Sequence, residues 1–248
     1  MKALFLILFL LPFSYVFAQS DVFPTKKGNV DIIPVFHAAV VLQWNGLTVY
    51  ADPYGGAERF KGMKAPDLVL ITHEHGDHLD EATLSGLDLT KTELIAPQKV
   101  IDQLKNKNFA KITVLNNGQK TTVKNMEIEA VGMYNLPEET ARHKKGVGNG
   151  YVLNFGGKRI YLSGDTDGTP EMRSLKNIDV AFVCMNPPYT MDVEPAANAV
   201  LAFKPAVVYP YHYRQPQNKF SDVKLFKKLV NDKNPKIDVR LRDWYKPM

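Results

Sequence analysis

The sequence predicts an α/β fold in which two mixed β-sheets pack face to face with helices on the outside. Three observations point there. Strand-like runs dominate, and helix-like segments are interspersed among them in both halves. Each half opens on a hairpin-rich part and continues in strand–helix alternation. A hairpin signal falls in each half, at Asn45-Gly46 and at Gly156-Gly157.

Residues 30–35, 40–44 and 47–51 read as successive strands, the last two joined at Asn45-Gly46. Residues 68–71, an unbroken apolar run, read as a short buried strand. Further strands are expected at 93–96, 112–115, 122–131, 151–155, 159–162, 180–183, 206–209 and 237–241. Helices fit 99–105, 193–203 behind Asp192 as N-cap, and 222–229 behind Ser221 as N-cap. No low-complexity segment and no linker interrupts the chain after residue 30, so 19–248 reads as one domain.

Residues 1–18 are set apart. Lys2, the apolar run 3–16 and Val16-Phe17-Ala18 have the layout of a secretory signal peptide cleaved after Ala18. A retained anchor would need roughly 20 apolar residues, and this run has about 14. The expectation is an exported protein, periplasmic or extracellular, with no transmembrane segment in the mature chain. Removing the leader leaves 30 basic and 26 acidic side chains. The densest basic stretch, Lys224 to Lys246, is interleaved with Asp222, Asp232, Asp238 and Asp243. That pattern is a solvated surface and argues against a nucleic-acid partner. The one cysteine, Cys184, ends an apolar run and reads as a buried structural thiol.

Chemistry concentrates in Ile71 to Asp80, ITHEHGDHLD, which holds half of the chain's six histidines. His73 and His75 are two apart where a strand runs out, so both imidazoles face the same way. Gly76 permits a tight change of direction, and Asp77-His78 then point toward a second position. Two imidazoles plus a carboxylate–imidazole pair are a natural start for a two-metal site.

His73-x-His75-x-Asp77-His78 resembles the signature of the metallo-β-lactamase superfamily of metal-dependent hydrolases. Tyr134-Asn135 with His143-Lys144-Lys145-Gly146 and Gly150-Tyr151-Val152 resembles the segment with that family's next histidine. Ser163-Gly164-Asp165-Thr166-Asp167 resembles its GDTD element, and Tyr209-Pro210-Tyr211-His212-Tyr213 the strand end with its last histidine. The resemblance implies a four-layer αββα sandwich. It implies His73, His75 and His143 on one metal, Asp77, His78 and His212 on a second, and Asp165 bridging both. It places Asp77, Asp165 and His37 in the catalytic set, although a structural hydrogen bond is an equal reading for His37. Asp52 is expected to orient a metal-bound imidazole, and Tyr189, Tyr211 and Tyr213 either line the pocket or pack.

Phe36-His37-Ala38-Ala39, Ala51-Asp52-Pro53 and Pro188-Tyr189-Thr190-Met191-Asp192 are similar to the branch with the ascorbate-6-phosphate lactonase and the N-acyl-phosphatidylethanolamine phospholipase D. Ala39 stands where that branch has serine, and Asn186-Pro187-Pro188 where it has glycines. The implied function is hydrolysis of a small or lipid-derived ester, lactone or phosphodiester by a metal-bound hydroxide. Two divalent ions are implied as cofactors, zinc before manganese or iron. The alternatives are a non-catalytic metal-binding protein, a nuclease or a β-lactamase of the same superfamily.

Overall fold

A computed structural model describes residues 20–247, so the expected leader at 1–18 lies outside the described residues. The alternation that builds the layers is clearest in the strand Ala39–Trp44 (β3). Val40 and Leu42 join Ile128, Leu153 and Phe182 in one core, while Ala39 and Val41 join Leu84 and Val100 in another. Successive side chains of a strand point to opposite faces, so this strand has a core on each side of it.

The first sheet contains Asp21–Thr25 (β1), Gly28–Phe36 (β2), β3, Leu47–Ala51 (β4), Leu68–Leu70 (β5), Glu93–Ala96 (β6) and Lys111–Val114 (β7), in that spatial order. The second contains Lys120–Val123 (β8), Met126–Met133 (β9), Gly148–Phe155 (β10), Lys158–Leu162 (β11), Val180–Cys184 (β12), Val207–Tyr211 (β13) and Asp238–Val239 (β14), again in chain order across the sheet. Each sheet is mixed: β4 to β7 and β11 to β14 run parallel, the others antiparallel.

Helices Glu81–Ser85 (α1) and Gln98–Gln103 (α2) contribute Leu84 and Val100 to the outer core of the first sheet. Pro170–Arg173 (α3), Val193–Phe203 (α4) and Val223–Lys233 (α5) pack Met172, Phe203 and Phe226 against the second. The result is the expected sandwich of two sheets flanked by helices. The strands β12 and β13, covered on both faces, are buried throughout, as parallel strands under helices must be. Among the described residues no helix is long and apolar enough to cross a membrane.

Both hairpin signals are turns with positive φ at the two central residues, Asn45-Gly46 and Gly156-Gly157. Two expectations need correction. The strand expected at 122–131 is a hairpin, because Lys124 and Asn125 take φ of 45° and 67° and fold β8 back on β9. A Lys-Asn pair carries no glycine to announce that turn. The N-cap of α5 is Asp222, whose carboxylate accepts from Lys224 and Leu225 N–H. Ser221 instead donates its hydroxyl to the Met185 carbonyl. Asp192 caps α4 as expected, accepting from the Val193 N–H. Cys184 is buried, and burial pushes its thiol up to about 12, as suits a structural residue.

Candidate metal centre

All the candidate ligands lie at or beyond the carboxyl ends of strands on one edge of the sandwich. His37 follows β2, Asp52 follows β4, the His73–His78 cluster follows β5, His143 lies in the loop after β9, Asp165 follows β11 and His212 follows β13. Parallel register brings these ends level: Ala51 pairs with Leu70, and Phe182 lies between Leu162 and Tyr209. Open α/β sheets gather their sites at such strand ends. Two backbone hydrogen bonds pin the sheets together there, Asn149 N–H to Thr72 O at 2.8 Å and His212 N–H to His37 O at 3.1 Å. Gly164 has φ +60°, and a Cβ there would lie 2.6 Å from Met133 Sδ and 3.1 Å from Thr72 Cβ. Glycine therefore permits the turn that delivers Asp165.

Three histidines form one group. His75 Nδ1 lies 3.1 Å from His73 Nε2 and 3.1 Å from His143 Nε2. In a second group, His78 Nε2 and His212 Nε2 are 3.1 Å apart, with Asp77 Oδ2 at 3.3 Å from His212 Nε2. Asp165 stands between the groups. Its Oδ2 is 3.6 Å from His143 Nε2, while its Oδ1 is 3.3 Å from both His78 Nε2 and His212 Nε2. The seven residues assigned as ligands by resemblance thus lie together at one site.

The outward nitrogens of the rings fix the tautomers by their hydrogen bonds. His78 Nδ1–H donates to Asp52 Oδ2 at 2.8 Å, and His143 Nδ1–H to Asn135 Oδ1 at 2.9 Å. His73 Nδ1–H donates to Thr72 Oγ1 at 3.0 Å, which itself donates to Asp52 Oδ2 at 2.8 Å. Each of these rings is left with a bare Nε2 lone pair turned inward. His212 differs, since its Nδ1 is buried without a hydrogen-bond partner and its ring is braced by His37, whose centroid is 3.8 Å away.

Electrostatics match bare nitrogens at His73 and His143 and favour a proton on His78 when no metal is bound. Burial, reinforced by His78, holds the His73 pKa well below 6.5. Burial brings His143 down to about 4 despite Asp165, and burial and His212 bring His37 down to about 4 despite Asp77. Burial would lower His78 as well, but Asp165, Asp52 and Asp77 outweigh it and raise that pKa. Burial disfavours ionised Asp77 and Asp165, yet the surrounding imidazoles hold both carboxylates below their ordinary range.

Imidazole nitrogens and carboxylate oxygens gathered this closely in a buried site suit a cation, which would take the place of the proton that Asp165, Asp52 and Asp77 favour on His78. Asp165 Oδ1 is buried and has no hydrogen-bond donor. A zinc ion with nitrogens at about 2.0–2.1 Å sets tetrahedral neighbours about 3.4 Å apart, close to the spacing of these donors. The side chains therefore fit divalent metal. His37 uses both of its nitrogens elsewhere, on Tyr245 Oη at 3.0 Å and Asp77 Oδ2 at 3.1 Å. Beside the first group a cavity of about 510 Å³ opens, bordered by Glu74, Lys99, Asp102, Arg142 and Lys144.

The pattern of the β-lactamase superfamily domain matches residues 32–212, from β2 to the last histidine of the centre. The chain belongs to that superfamily. Its relatives are named accordingly: a UPF0173 metal-dependent hydrolase of Thermococcus onnurineus is 34% identical over 173 residues, covering 67% of this chain and 75% of the relative. One from Pyrococcus horikoshii is 30% identical over 214 residues, covering 79% and 90%. A Parabacteroides distasonis structure assigned as a metal-dependent hydrolase superposes with a TM-score of 0.80 at 36% identity, over 92% of this chain and all of that one. This superfamily member is a metal-dependent hydrolase.

Several residues of the hydrolase's centre had no local signal in the sequence. Asn135 and Thr72 orient His143 and His73, and Tyr245 reaches His37 from the chain's last residues. Asn135 stood in the Tyr134-Asn135 motif beside His143, but with no role of its own. Of the three tyrosines, Tyr211 is buried and its hydroxyl accepts from Gly164 N–H, steadying the Asp165 turn. Tyr213 donates to the Arg242 carbonyl, and Tyr189 carries the Arg142 guanidinium over its ring.

Proposed function

We propose that this hydrolase is exported and works with two divalent ions, zinc by preference, on a small or lipid-derived ester, lactone or phosphodiester. The observation that carries the two-ion reading is Asp165, which turns one oxygen toward His143 and the other toward His78 and His212. His73, His75 and His143 would hold one ion; Asp77, His78 and His212 would hold the other. Imidazole-rich ligation suits zinc, and the carboxylates also admit manganese or iron. When bound, such ions polarise a substrate oxygen and make hydroxide available near neutral pH.

The chain's own residues prepare that chemistry. Asp52, Thr72 and Asn135 turn the imidazoles and keep their inward nitrogens bare. Asp77 is held by His37 at a part-exposed position on the rim of the site. The segments around His37 and Tyr189 favour the lactonase and phospholipase D branch within the superfamily. The apolar leader at 1–18 supports export.

Metal analysis of the purified protein tests the reading, with two equivalents expected and one or fewer counting against it. Asp165→Ala should then abolish turnover across a panel of esters, lactones and phosphodiesters. Activity surviving that substitution would defeat the mechanism.

A further inference from the structure

We infer that Arg59 and Arg214 form an anion subsite on the His37 side of the metal centre, built for a phosphate group that the substrate carries away from its scissile bond. The inference rests on the hydrolase reading above only for the word substrate; the subsite itself stands on the geometry of two arginines.

Both guanidiniums lie against the ring of Phe36, the residue before His37. Arg59 lies in the 3₁₀ turn Ala57–Phe60 with Cζ 3.7 Å from the Phe36 ring centroid. Arg214, two residues after His212, approaches the same ring at 5.5 Å and the Tyr245 ring at 5.2 Å. Among the described residues neither has a carboxylate within 4.0 Å, whereas Arg240 and Arg242 pair with Asp21, and Arg159 with Glu129. Among the described residues Arg59 is held only by neutral acceptors, with Nε donating to Gly55 O at 3.2 Å and Nη1 to Lys246 O at 3.4 Å. The Arg214 side chain makes no hydrogen bond among the described residues; only its backbone N–H is engaged, at 3.0 Å from Tyr245 Oη.

The loop is shaped to hold this arrangement. Gly55 has φ +87°, and a Cβ there would lie 2.8 Å from the Phe36 ring and 3.0 Å from Arg59 Nε. Two like charges brought to one ring repel each other, and an anion between them would offset that repulsion. Burial and the nearby Arg214 both lower the Arg59 pKa. Guanidinium forks match the oxygens of phosphate bidentately, and two of them suit a dianion better than a single carboxylate.

The position ties the pair to the centre. Tyr245 Oη contacts both the Arg214 N–H and His37 Nδ1. Tyr54 stacks on Phe36 at 5.9 Å, and the half-exposed Phe220 lies 5.1 Å from Tyr245. These rings offer apolar surface to the part of the ligand next to its phosphate. The 510 Å³ cavity borders the other histidine group, so the two sides of the centre would receive different ends of one substrate.

Titration of the metal-loaded protein with inorganic phosphate, followed by calorimetry, tests the subsite. Arg59→Met, Arg214→Met and the double variant keep an apolar stem on Phe36 while removing the charge. Phosphate affinity should fall by about ten-fold or more in each variant, and acetate should bind weakly throughout. Because phosphate also has affinity for metals, the same titration is run in Asp165→Ala, alone and combined with the arginine changes. An arginine-dependent component that persists there supports the subsite even if the hydrolase reading fails. Phosphate binding that is the same in wild type and double variant would overturn it, as would variants that lose thermal stability without losing phosphate. With an active ester in hand, preference for its phosphorylated form should fall by about ten-fold in Arg214→Met.

Discussion

Tyr245 Oη lies 3.0 Å from Nδ1 of His37 and accepts the Arg214 backbone N–H at 3.0 Å on its other side. The ionised Asp77 carboxylate can only accept, so neutral His37 leaves Nδ1 bare and Tyr245 donates to it. His37 then carries its proton on Nε2, which donates to Asp77 Oδ2 at 3.1 Å. The His37 backbone sits at φ +60°, braced by its N–H to Trp244 O and by its carbonyl to His212 N–H. Tyr245 and Asp77 thus hold one tautomer of His37 between them, and His37 in turn aims a candidate metal carboxylate.

Tyr245→Phe keeps the ring and removes the hydroxyl. The Arg214 N–H loses its acceptor, which should cost about 1–3 kcal/mol in chemical denaturation. His37 becomes free to reverse its tautomer, so metal affinity by chelator competition should also fall, by less than the roughly 10–100-fold expected for His37→Phe. Unchanged affinity in both variants would show that Asp77 does not depend on this chain of bonds.

Asp52 serves both histidine groups through one carboxylate. It accepts from His78 Nδ1 and from Thr72 Oγ1, and Thr72 accepts from His73 Nδ1. Its Oδ1 also takes the Thr72 N–H at 2.8 Å. Asp52→Asn places an amide donor among these donors. A loss of metal affinity of about 10–100-fold is expected, measured against a chelator of known strength. Retention of wild-type affinity would mean that packing alone orients the rings.

Stability of the metal-free protein should depend on pH through His37 and His143. Burial lowers both from 6.5 to about 4. Between those values the unfolded chain binds protons that the folded chain refuses, so stability is full above about 6.5 and is lost as pH falls toward 4. His78 works in the other direction, since its pKa is raised and its contribution fades only as pH climbs through that raised value. Denaturation midpoints of metal-free protein should fall from pH 7 to pH 4.5, and His143→Gln should flatten the fall. A midpoint independent of pH across this window would contradict the assignment.

Much of the layout was legible because it depends on short-range rules. The strand at 40–44, the Asn45-Gly46 and Gly156-Gly157 turns and the Asp192 cap are settled within a few residues of chain, and each is where the pattern put it. The Lys124-Asn125 turn escaped because no glycine announces it, and the Asp222 cap because Ser221 beside it is an equally good local cap. Ser221, for one, finds a better acceptor in the Met185 carbonyl on the neighbouring strand end.

By itself the sequence determined which donors exist, and its local pattern set out an expected division of His73 and His75 from Asp77 and His78. Only the tertiary structure decided which oxygen of Asp165 faces which group, that Asp52 links His73 to His78, and that Tyr245 reaches His37. Those relations join residues far apart in the chain. They depend on the register of parallel strands and on how two sheets are pinned at one edge, which no local preference specifies.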